Sequence, residues 1–387
     1  MKKTIKDYQY DNKKVIIRCD LNVPINDGKI TDDTRIKESL ESINYLINNN
    51  AKVIILSHLG KIKTEEDKIN NSLYPVYLKL QNYLNTNVYF SKETRGKELE
   101  GYVNNLKPKE VLLIENTRYE DYPNKLESNC DEKLSKYWAS LGDIFINDAY
   151  GTSHRAHASN VGIAKILPNG IGFLIEKEIT KIDQILNEDT HPFTIVMGGK
   201  KISDKTLVID NLIKKCDYLL LGGGMCFTFL SSIGKNIGAS IVDNQNLTYC
   251  QNLLKQYPEK IILPIDIINQ NTEIKDVDTL DNNDIGYDIG PKTNLKFMNI
   301  LKESKRVIIN GPMGVFEDKK FQNGTKNLYE TLKQNNIKTL IGGGDSAAAV
   351  HLLGYNNAFY HISTGGGATL EYLAGTSLPG IDIIENV

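Results

Sequence analysis

Short apolar runs recur along the second half of the chain, and each of them leads into glycine. The runs cover residues 193–197, 218–221, 306–309, 340–341 and 360–364. Apolar runs of this length that alternate with helical segments predict a parallel sheet with helices on both faces. Ligands on such sheets bind outside the carboxyl ends of the strands, where these glycine loops are expected.

The stretch KTLIGGGDSAAAVHLL (338–353) shows the pattern most fully. It predicts a strand, a tight glycine turn and an alanine-rich helix, with Asp345 or Ser346 as the helix cap. Bare backbone N–H groups at a helix start favour a phosphate, and Asp345 beside it would be a magnesium carboxylate. A turn and a cap without any ligand is the alternative. Five glycine loops at corresponding strand ends favour the ligand site.

Strand ends in the first half carry polar side chains instead of glycine. Runs at 15–17, 52–56, 111–114 and 144–146 are followed by arginine, lysine, histidine, asparagine and aspartate. Arginine binds carboxylate and phosphate through two parallel hydrogen bonds, so this half is predicted to bind a small anion. Any one of these residues could be an ordinary surface charge. Four successive strand ends of this kind favour the anion site.

Chain length and three further segments indicate the domain organisation. A chain of 387 residues exceeds what a single core usually supports, so two domains are expected. Apolar residues at helical spacing in 172–186 predict a rigid connecting helix. The segment 269–288 is polar and acidic, which indicates a surface excursion with short strands, and the apolar segment 378–384 is expected to dock onto the fold.

Composition excludes several classes of protein. The chain is 40% hydrophobic and 24% charged with a net charge of −2, which gives no reason to expect nucleic acid or a membrane as partner. The lysine-rich start has no apolar core and is not a secretory signal. Five cysteines without a C-x-x-C pair indicate reduced thiols in the cytoplasm.

Two nucleotide-binding motifs give opposite results. No G-x-x-x-x-G-K-[ST] motif occurs, whereas residues 342–347 fit the dinucleotide pattern G-x-G-x-x-A. That pattern requires an acidic residue at the end of the next strand, and Ser363 and Thr364 stand there instead. A dehydrogenase is therefore disfavoured.

An ordered set of motifs covers nearly the whole chain and resembles the phosphoglycerate kinase family. In the first half the motifs are RCDLNVP (18–24), TDDTR (31–35), SHLGK (57–61), LLIENTR (112–118), NDAYGTSHRAHAS (147–159) and GFLIEKEI (172–179). In the second half they are GGKKISDK (198–205), GGGMCFTFL (222–230), NGPMGVFE (310–317), GGGDSAAAV (342–350) and HISTGGGATLEYLAG (361–375).

The resemblance implies a fold and a reaction. The fold would be α/β, with two doubly wound parallel-sheet (Rossmann-like) domains joined by a helix and a C-terminal segment that returns to the first domain. Residues 1–170 with 376–387 would bind 3-phosphoglycerate, and residues 171–375 would contain the connecting helix and bind the nucleotide. The reaction would be reversible, Mg²⁺-dependent phosphoryl transfer between 1,3-bisphosphoglycerate/ADP and 3-phosphoglycerate/ATP. A cytoplasmic, hinge-bending monomer would carry it out.

The resemblance also implies site residues. The substrate-binding residues would be Asp20, Asn22, Arg35, His58, Lys61, Arg118 and Arg155. The nucleotide-binding residues would be Gly199, Lys201, Lys205, Gly224, Asn310, Glu317, Gly342, Gly343, Gly344, Asp345 and Ser346. The catalytic residues would be Arg35, Lys201, Gly366 and Gly367. Within these sets, Lys205 would contact phosphate, Glu317 the ribose and Asp345 the metal, while Lys201 would stabilise the transferring group.

Three positions depart from the common pattern of the family. Lys61 stands where arginine is usual, which keeps the charge and loses the planar fork. Lys200 stands where alanine is usual, and Ser346 replaces threonine while keeping the hydroxyl. A non-catalytic scaffold with the same fold is the remaining alternative. Retention of the lysines, Asp345 and the arginines argues against it.

Overall fold

The computed structural model describes residues 2–387 and divides the chain into two compact units. Unit 1 comprises the chain up to Thr180 together with Ser377–Val387, and unit 2 comprises Lys181–Thr376. The expected boundary at 170/171 lies before the connecting helix, whereas the two units divide inside that helix.

Unit 1 is built on a six-stranded parallel sheet. Its strands, with a small hairpin formed by β2 and β3, are β1 (Lys14–Cys19), β2 (Ile25–Asn26), β3 (Lys29–Ile30), β4 (Lys52–Leu56), β5 (Val88–Ser91), β6 (Val111–Ile114), β7 (Ile144–Asp148) and β8 (Asn169–Ile171). The order across the sheet is β5-β6-β4-β1-β7-β8. Because helices cover both faces, the central strands are almost wholly apolar and buried.

Most helices of unit 1 bury apolar residues along one face. They are α1 (Thr34–Asn48), α2 (Glu65–Asn70), α3 (Tyr74–Tyr83), α4 (Lys97–Asn105) and α5 (Glu132–Ala139), followed by the connecting helix α6 (Phe173–Asn187). In α1 the buried residues include Ile36, Ile43, Leu46 and Ile47, which recur at the three- and four-residue spacing of one helix face. The predicted connecting helix is confirmed within one residue at each end.

Unit 2 repeats the architecture with a second six-stranded parallel sheet. Its strands are β9 (Phe193–Met197), β10 (Tyr218–Leu221), β11 (Ile261–Ile262), β15 (Arg306–Asn310), β16 (Lys338–Gly342) and β17 (His361–Ile362), in the order β11-β10-β9-β15-β16-β17. A separate antiparallel sheet of β12 (Asp266–Asn269), β13 (Ile274–Asp276) and β14 (Gly286–Ile289) forms the predicted surface excursion. All five glycine-ended runs are strands of the parallel sheet.

The helices of unit 2 include one whose start differs from expectation. They are α7 (Thr206–Leu212), α8 (Met225–Ser232), α9 (Leu247–Gln256), α10 (Pro291–Glu303), α11 (Asn323–Gln334), α12 (Gly344–Leu353) and α13 (Gly367–Leu373). The cap of α12 is Gly343, and neither Asp345 nor Ser346 caps the helix. The Ser346 hydroxyl instead accepts a hydrogen bond from the Gly311 N–H at 2.6 Å.

The C-terminal segment docks onto unit 1, as its apolar sequence predicts. It contains α14 (Pro379–Asp382). The Lys3 N–H donates to the Glu385 carbonyl at 2.8 Å, and the Asn147 side-chain amide donates to the Gly380 carbonyl at 2.7 Å. Within residues 2–387, every helix is too short or too polar to cross a membrane.

Candidate active site

The polar residues of unit 1 gather at the carboxyl ends of β1, β4, β6 and β7. Asp20 follows β1 and accepts a hydrogen bond from the Arg35 guanidinium at 2.5 Å. Asn22 accepts the Gly60 N–H at 2.9 Å, which joins the β1 loop to the β4 loop. The structure therefore brings Asp20, Asn22 and Arg35 into one network with the loop that carries His58.

His58 is buried against arginine side chains. It is 8% exposed, and its Nδ1 lies 3.2 Å from Nη2 of Arg18. Burial, together with the positive charges of Arg18 and Arg118, holds the pKa of His58 well below its usual value. The imidazole is therefore neutral near pH 7 and contributes hydrogen bonds to the site without adding charge.

Arg118 contributes a guanidinium that is only partly satisfied. Its Nη1 donates to Asp121 at 3.1 Å and to Ser128 at 3.2 Å. Its Nε is buried and has no hydrogen-bond partner in the structure of residues 2–387. A buried N–H without a partner is costly. An anionic ligand at this position would satisfy it.

Lys61 and Arg155 lie at the exposed margin of this cluster. Arg155 Nε lies 3.1 Å from Nε2 of His154. Its charge also contributes to the lowered pKa of His157, so it lies near the buried histidine. The structure gives Lys61 no hydrogen bond to the other predicted residues.

Three buried residues of this cluster were missing from the predicted site. They are Arg18, Glu127 and His157, all less than 5% exposed. Burial, with the charge of Arg118, lowers the pKa of His157 to about 3. Arg18 stands inside an otherwise apolar parallel strand. An arginine at such a position must be buried and must have partners, which is the signal that could have identified it.

In unit 2 the glycine loops pack directly on one another. The Gly199 N–H donates to the Pro312 carbonyl at 2.9 Å, which ties the β9 loop to the β15 loop. A Cβ atom on Gly198 would lie 1.9 Å from the Pro312 oxygen, so only glycine permits this approach. Gly343 has φ of +92°, a conformation that L side chains rarely adopt.

These loops border a cavity of about 590 Å³. Its wall is mostly apolar and includes Phe227, Ile241, Ile289, Met313 and Phe316. Four predicted nucleotide-binding residues, Gly199, Gly224, Glu317 and Asp345, also line it. Such a cavity suits a flat apolar ring with a polar sugar attached.

A second, smaller cavity of about 280 Å³ is cationic. Its wall contains the predicted residues Lys201, Lys205, Asn310, Gly343, Gly344 and Ser346. Gly199, Lys200 and Asp345 line both cavities, so the two adjoin. An apolar cavity beside a lysine-lined one fits a ligand with a ring at one end and phosphates at the other.

Lys205 is held in place by backbone carbonyl groups. Its amino group donates to the Gly198 carbonyl at 2.6 Å and to the Asn310 carbonyl at 2.9 Å. Burial lowers the pKa of Lys205 to about 8, although the nearby Asp345 acts in the opposite direction. Lys205 is thus still mostly charged at pH 7. Lys201, by contrast, is exposed.

The predicted glycines beyond these cavities lie on neighbouring strands of the same sheet. Gly342 ends β16, and its carbonyl accepts the Asn310 side-chain amide at 3.0 Å. Gly366 caps α13 and Gly367 begins it, after β17. Neither lines the smaller cavity, whose only contact with α13 is Leu370. The structure of the described chain therefore places Gly366 and Gly367 near the smaller cavity and outside its wall.

Asp345 is the carboxylate that lines both cavities, and it could bind a magnesium ion there. Within residues 2–387 no group of three or more His, Cys, Asp or Glu could hold a metal by itself. Mg²⁺ at nucleotide sites is usually bound by one or two carboxylates together with substrate phosphates and water. Asp204 also lines the smaller cavity, so one or two carboxylates are available to an ion that arrives with a nucleotide.

Fold and site together define a two-domain α/β enzyme of the phosphotransferase class. The sequence model of the phosphoglycerate kinase family matches residues 5–376. The phosphoglycerate kinase of Fusobacterium nucleatum is 51% identical over 397 aligned positions, which cover 100% of both chains. That of Enterococcus faecalis is 49% identical over 100% of this chain and 99% of its own.

Solved structures agree with these relatives. The phosphoglycerate kinase of Coxiella burnetii superimposes with a TM-score of 0.87 at 33% identity, covering 99% of this chain and 98% of its own. That of Pyrococcus horikoshii gives 0.85 at 32% identity, with 98% of each chain covered. The chain belongs to the phosphoglycerate kinase family, and the predicted family and fold class are confirmed.

Proposed function

We propose that this chain catalyses Mg²⁺-dependent, reversible transfer of a phosphoryl group between ATP and the carboxylate of 3-phosphoglycerate. The observation that carries the proposal is the pair of adjoining cavities in unit 2. One is apolar and the other is lined by lysines, and Asp345 belongs to both. The arginine and histidine cluster of unit 1 supplies the complementary anion site.

The acceptor needs no activation by a general base. A carboxylate is already ionised near pH 7, so its oxygen attacks the γ-phosphorus while the bond from that phosphorus to the ADP oxygen breaks. Rate enhancement then rests on positioning and on neutralising the charge of the transferring group. We assign this neutralisation to Lys201 and Arg35, with the backbone at Gly366 and Gly367.

Unit 2 would hold the nucleotide through several residues already described. Glu317 in the apolar cavity would bind the ribose, and Lys205 would contact phosphate oxygens. Mg²⁺ bound with the nucleotide would neutralise phosphate charge. Asp345 would hold that ion from the first turn of α12.

Unit 1 would bind 3-phosphoglycerate through Asp20, Asn22, Arg35, His58, Lys61, Arg118 and Arg155. The unpartnered Nε of Arg118 and the neutral His58 support this assignment. Because the two substrates would bind to different units, transfer requires closure that brings the carboxylate within about 3–3.5 Å of the γ-phosphate. We place the hinge in α6 and in the segment that leads to α14.

Scattering tests the closure step. Each ligand alone contacts one unit and should favour the closed state only in part, whereas both together should favour it most. The radius of gyration is measured without ligand, with 3-phosphoglycerate, with a non-hydrolysable Mg-ATP analogue, and with both. An identical radius in all four states would refute closure.

A coupled assay tests the reaction itself. Purified protein is given 3-phosphoglycerate, ATP and Mg²⁺, and formation of ADP is followed; omission of Mg²⁺ and omission of 3-phosphoglycerate are the controls. Turnover that requires all three components is the expected result. Absence of turnover in either direction would favour the non-catalytic scaffold. We also infer a cytoplasmic monomer, for which light scattering should give the mass of one chain.

A further inference from the structure

A buried chain of hydrogen bonds runs through unit 1 behind the proposed anion site. Its members are Glu127, Ser159, Arg18 and His58, which are 0%, 0%, 1% and 8% exposed. The Ser159 hydroxyl donates to Glu127 Oε1 at 2.5 Å, and the Ser159 N–H donates to Glu127 Oε2 at 2.9 Å. One carboxylate thus fixes both polar groups of Ser159.

The orientation of the Ser159 hydroxyl determines its contact with Arg18. Because its hydrogen is directed at Glu127, its lone pair is available to the Nε–H of Arg18, which lies 2.9 Å away. Arg18 also donates from Nη1 to the Cys19 carbonyl. These two bonds hold the guanidinium at two edges, so the position of the remaining Nη2 is determined.

Arg18 in turn determines the tautomer of His58. A guanidinium has donors and no acceptor. The 3.2 Å contact from Nη2 to Nδ1 of His58 therefore requires Nδ1 to accept. In a neutral imidazole the hydrogen must then be on Nε2. His58 is left with an Nε2–H donor for its other neighbour.

We propose that Glu127 is a positioning residue for the phosphoryl acceptor site, acting through Ser159 and Arg18 to keep His58 as an Nε2–H hydrogen-bond donor. The inference rests on the proposed function, since it takes His58 to be a residue that binds 3-phosphoglycerate. Glu127 touches no substrate. It is a buried carboxylate whose charge balances Arg18 and whose geometry aligns the chain of donors.

Ser159→Ala is the most direct test. It removes the hydroxyl, leaves the Nε–H of Arg18 without its acceptor, and changes only one buried atom. Nitrogen-15 NMR of the six histidine side chains reports the His58 tautomer independently of activity. We expect a pure Nε2–H form in the native protein and a mixture of tautomers in the variant. Calorimetry should show about tenfold weaker 3-phosphoglycerate binding and less than twofold change for Mg-ADP.

Glu127→Gln is the second variant. The Ser159 hydroxyl and N–H bind to different oxygens of Glu127, and an amide has only one accepting oxygen, so it cannot reproduce both bonds in their native positions. We expect the same direction of change in the His58 spectrum and in 3-phosphoglycerate binding. If this variant fails to fold, Ser159→Ala still decides the question.

The matched control is a second serine–glutamate pair in the same unit, in which Glu115 is buried and Ser72 is partly buried. The Ser72 hydroxyl donates to Glu115 at 2.6 Å, and no described hydrogen bond joins that pair to Arg18. Ser72→Ala should leave the His58 tautomer and both dissociation constants unchanged. The inference is overturned if native His58 carries its hydrogen on Nδ1, or if Ser159→Ala behaves like the control. A native protein that does not bind 3-phosphoglycerate would refute the proposed function. The histidine spectrum would still show whether the hydrogen-bond chain from Glu127 determines the His58 tautomer.

Discussion

Asp148→Asn tests the cost of a charge buried at the start of the connecting helix. Asp148 ends β7 and is 0% exposed. Its Oδ1 accepts the Leu174 N–H at 2.9 Å and the Ile175 N–H at 3.4 Å, both from the first turn of α6. Its Oδ2 has no hydrogen-bond partner in the structure of residues 2–387. Burial raises the pKa of Asp148 to about 7 from 3.8, and the Ser42 hydroxyl and the two N–H groups oppose this rise only partly.

The sign and size of the effect follow from this shift. Between pH 4 and pH 7 the folded state keeps a proton that the unfolded state has lost. The free energy of unfolding therefore falls as pH rises through this range, and the change stops above the folded-state pKa. A shift of about three units corresponds to about 4 kcal/mol. Asn is neutral throughout, so the variant lacks this dependence.

The assay is urea unfolding at several pH values between 4.5 and 8, followed by the fluorescence of Trp138. This is the only tryptophan of the chain. It is fully buried in unit 1, the unit that contains Asp148, and its indole N–H donates to the Thr94 carbonyl at 2.8 Å. We expect the variant to gain stability relative to the native protein as pH rises, by about 3 kcal/mol between pH 4.5 and 8.

The substitution also changes the free energy of unfolding by an amount that does not depend on pH, because the amide places an N–H₂ group where Oδ2 has no partner. This change costs about 1–3 kcal/mol. Exposed Asp11→Asn controls for the loss of one negative charge. If the difference between Asp148→Asn and the native protein is the same at every pH, the buried carboxyl is ionised over the whole range and our reasoning is wrong.

Three further predictions concern the proposed reaction. Lys201→Ala should lower kcat far more than it weakens Mg-ADP binding, whereas Asp345→Ala should weaken that binding as well. Calorimetry measures Mg-ADP binding to both variants, and an equal loss of binding in the two would show that Lys201 is wrongly assigned. Lys61→Arg should change kcat/KM for 3-phosphoglycerate by less than about tenfold, because Arg35, Arg118 and Arg155 would already hold the anion. A larger loss in steady-state kinetics would mean that arginine does not fit. Burial lowers the pKa of Lys205 to about 8, so ADP affinity should fall as pH rises from 7 to 9, and Lys205→Met should remove that dependence in a titration series.

Local sequence predicted the central strands and, of the four edge strands β5, β8, β11 and β17, only β17. Strands such as β6 (Val111–Ile114) and β10 (Tyr218–Leu221) are continuous apolar runs, and this composition predicts burial on both faces of a sheet. By contrast, β8 (Asn169–Ile171) contains asparagine and glycine, and β11 (Ile261–Ile262) has two residues. Such strands form because a neighbouring strand offers hydrogen-bonding groups, which is a property of the sheet and not of the segment.

In the proposed site, too, local sequence predicted some residues, and others depend on contacts between distant parts of the chain. Arginines and lysines at strand ends were identified because several occur at equivalent positions. The partnership of Arg18 with Glu127 joins residues from distant parts of the sequence, and no local pattern links them. The start of α12 was assigned to the wrong residue for a related reason. Ser346 has a suitable cap side chain, but the Gly311 N–H of another loop occupies its hydroxyl.

The return of residues 377–387 to unit 1 has a consequence for synthesis on the ribosome. Unit 2 is one continuous stretch, Lys181–Thr376, and can complete its contacts as soon as that stretch has emerged. Unit 1 is synthesised first, yet the Gly380 carbonyl that accepts from buried Asn147 arrives only after the whole of unit 2. Domains usually fold in the order of their synthesis. Here the order of completion is reversed, and the nascent chain carries an unfinished first domain while the second one forms.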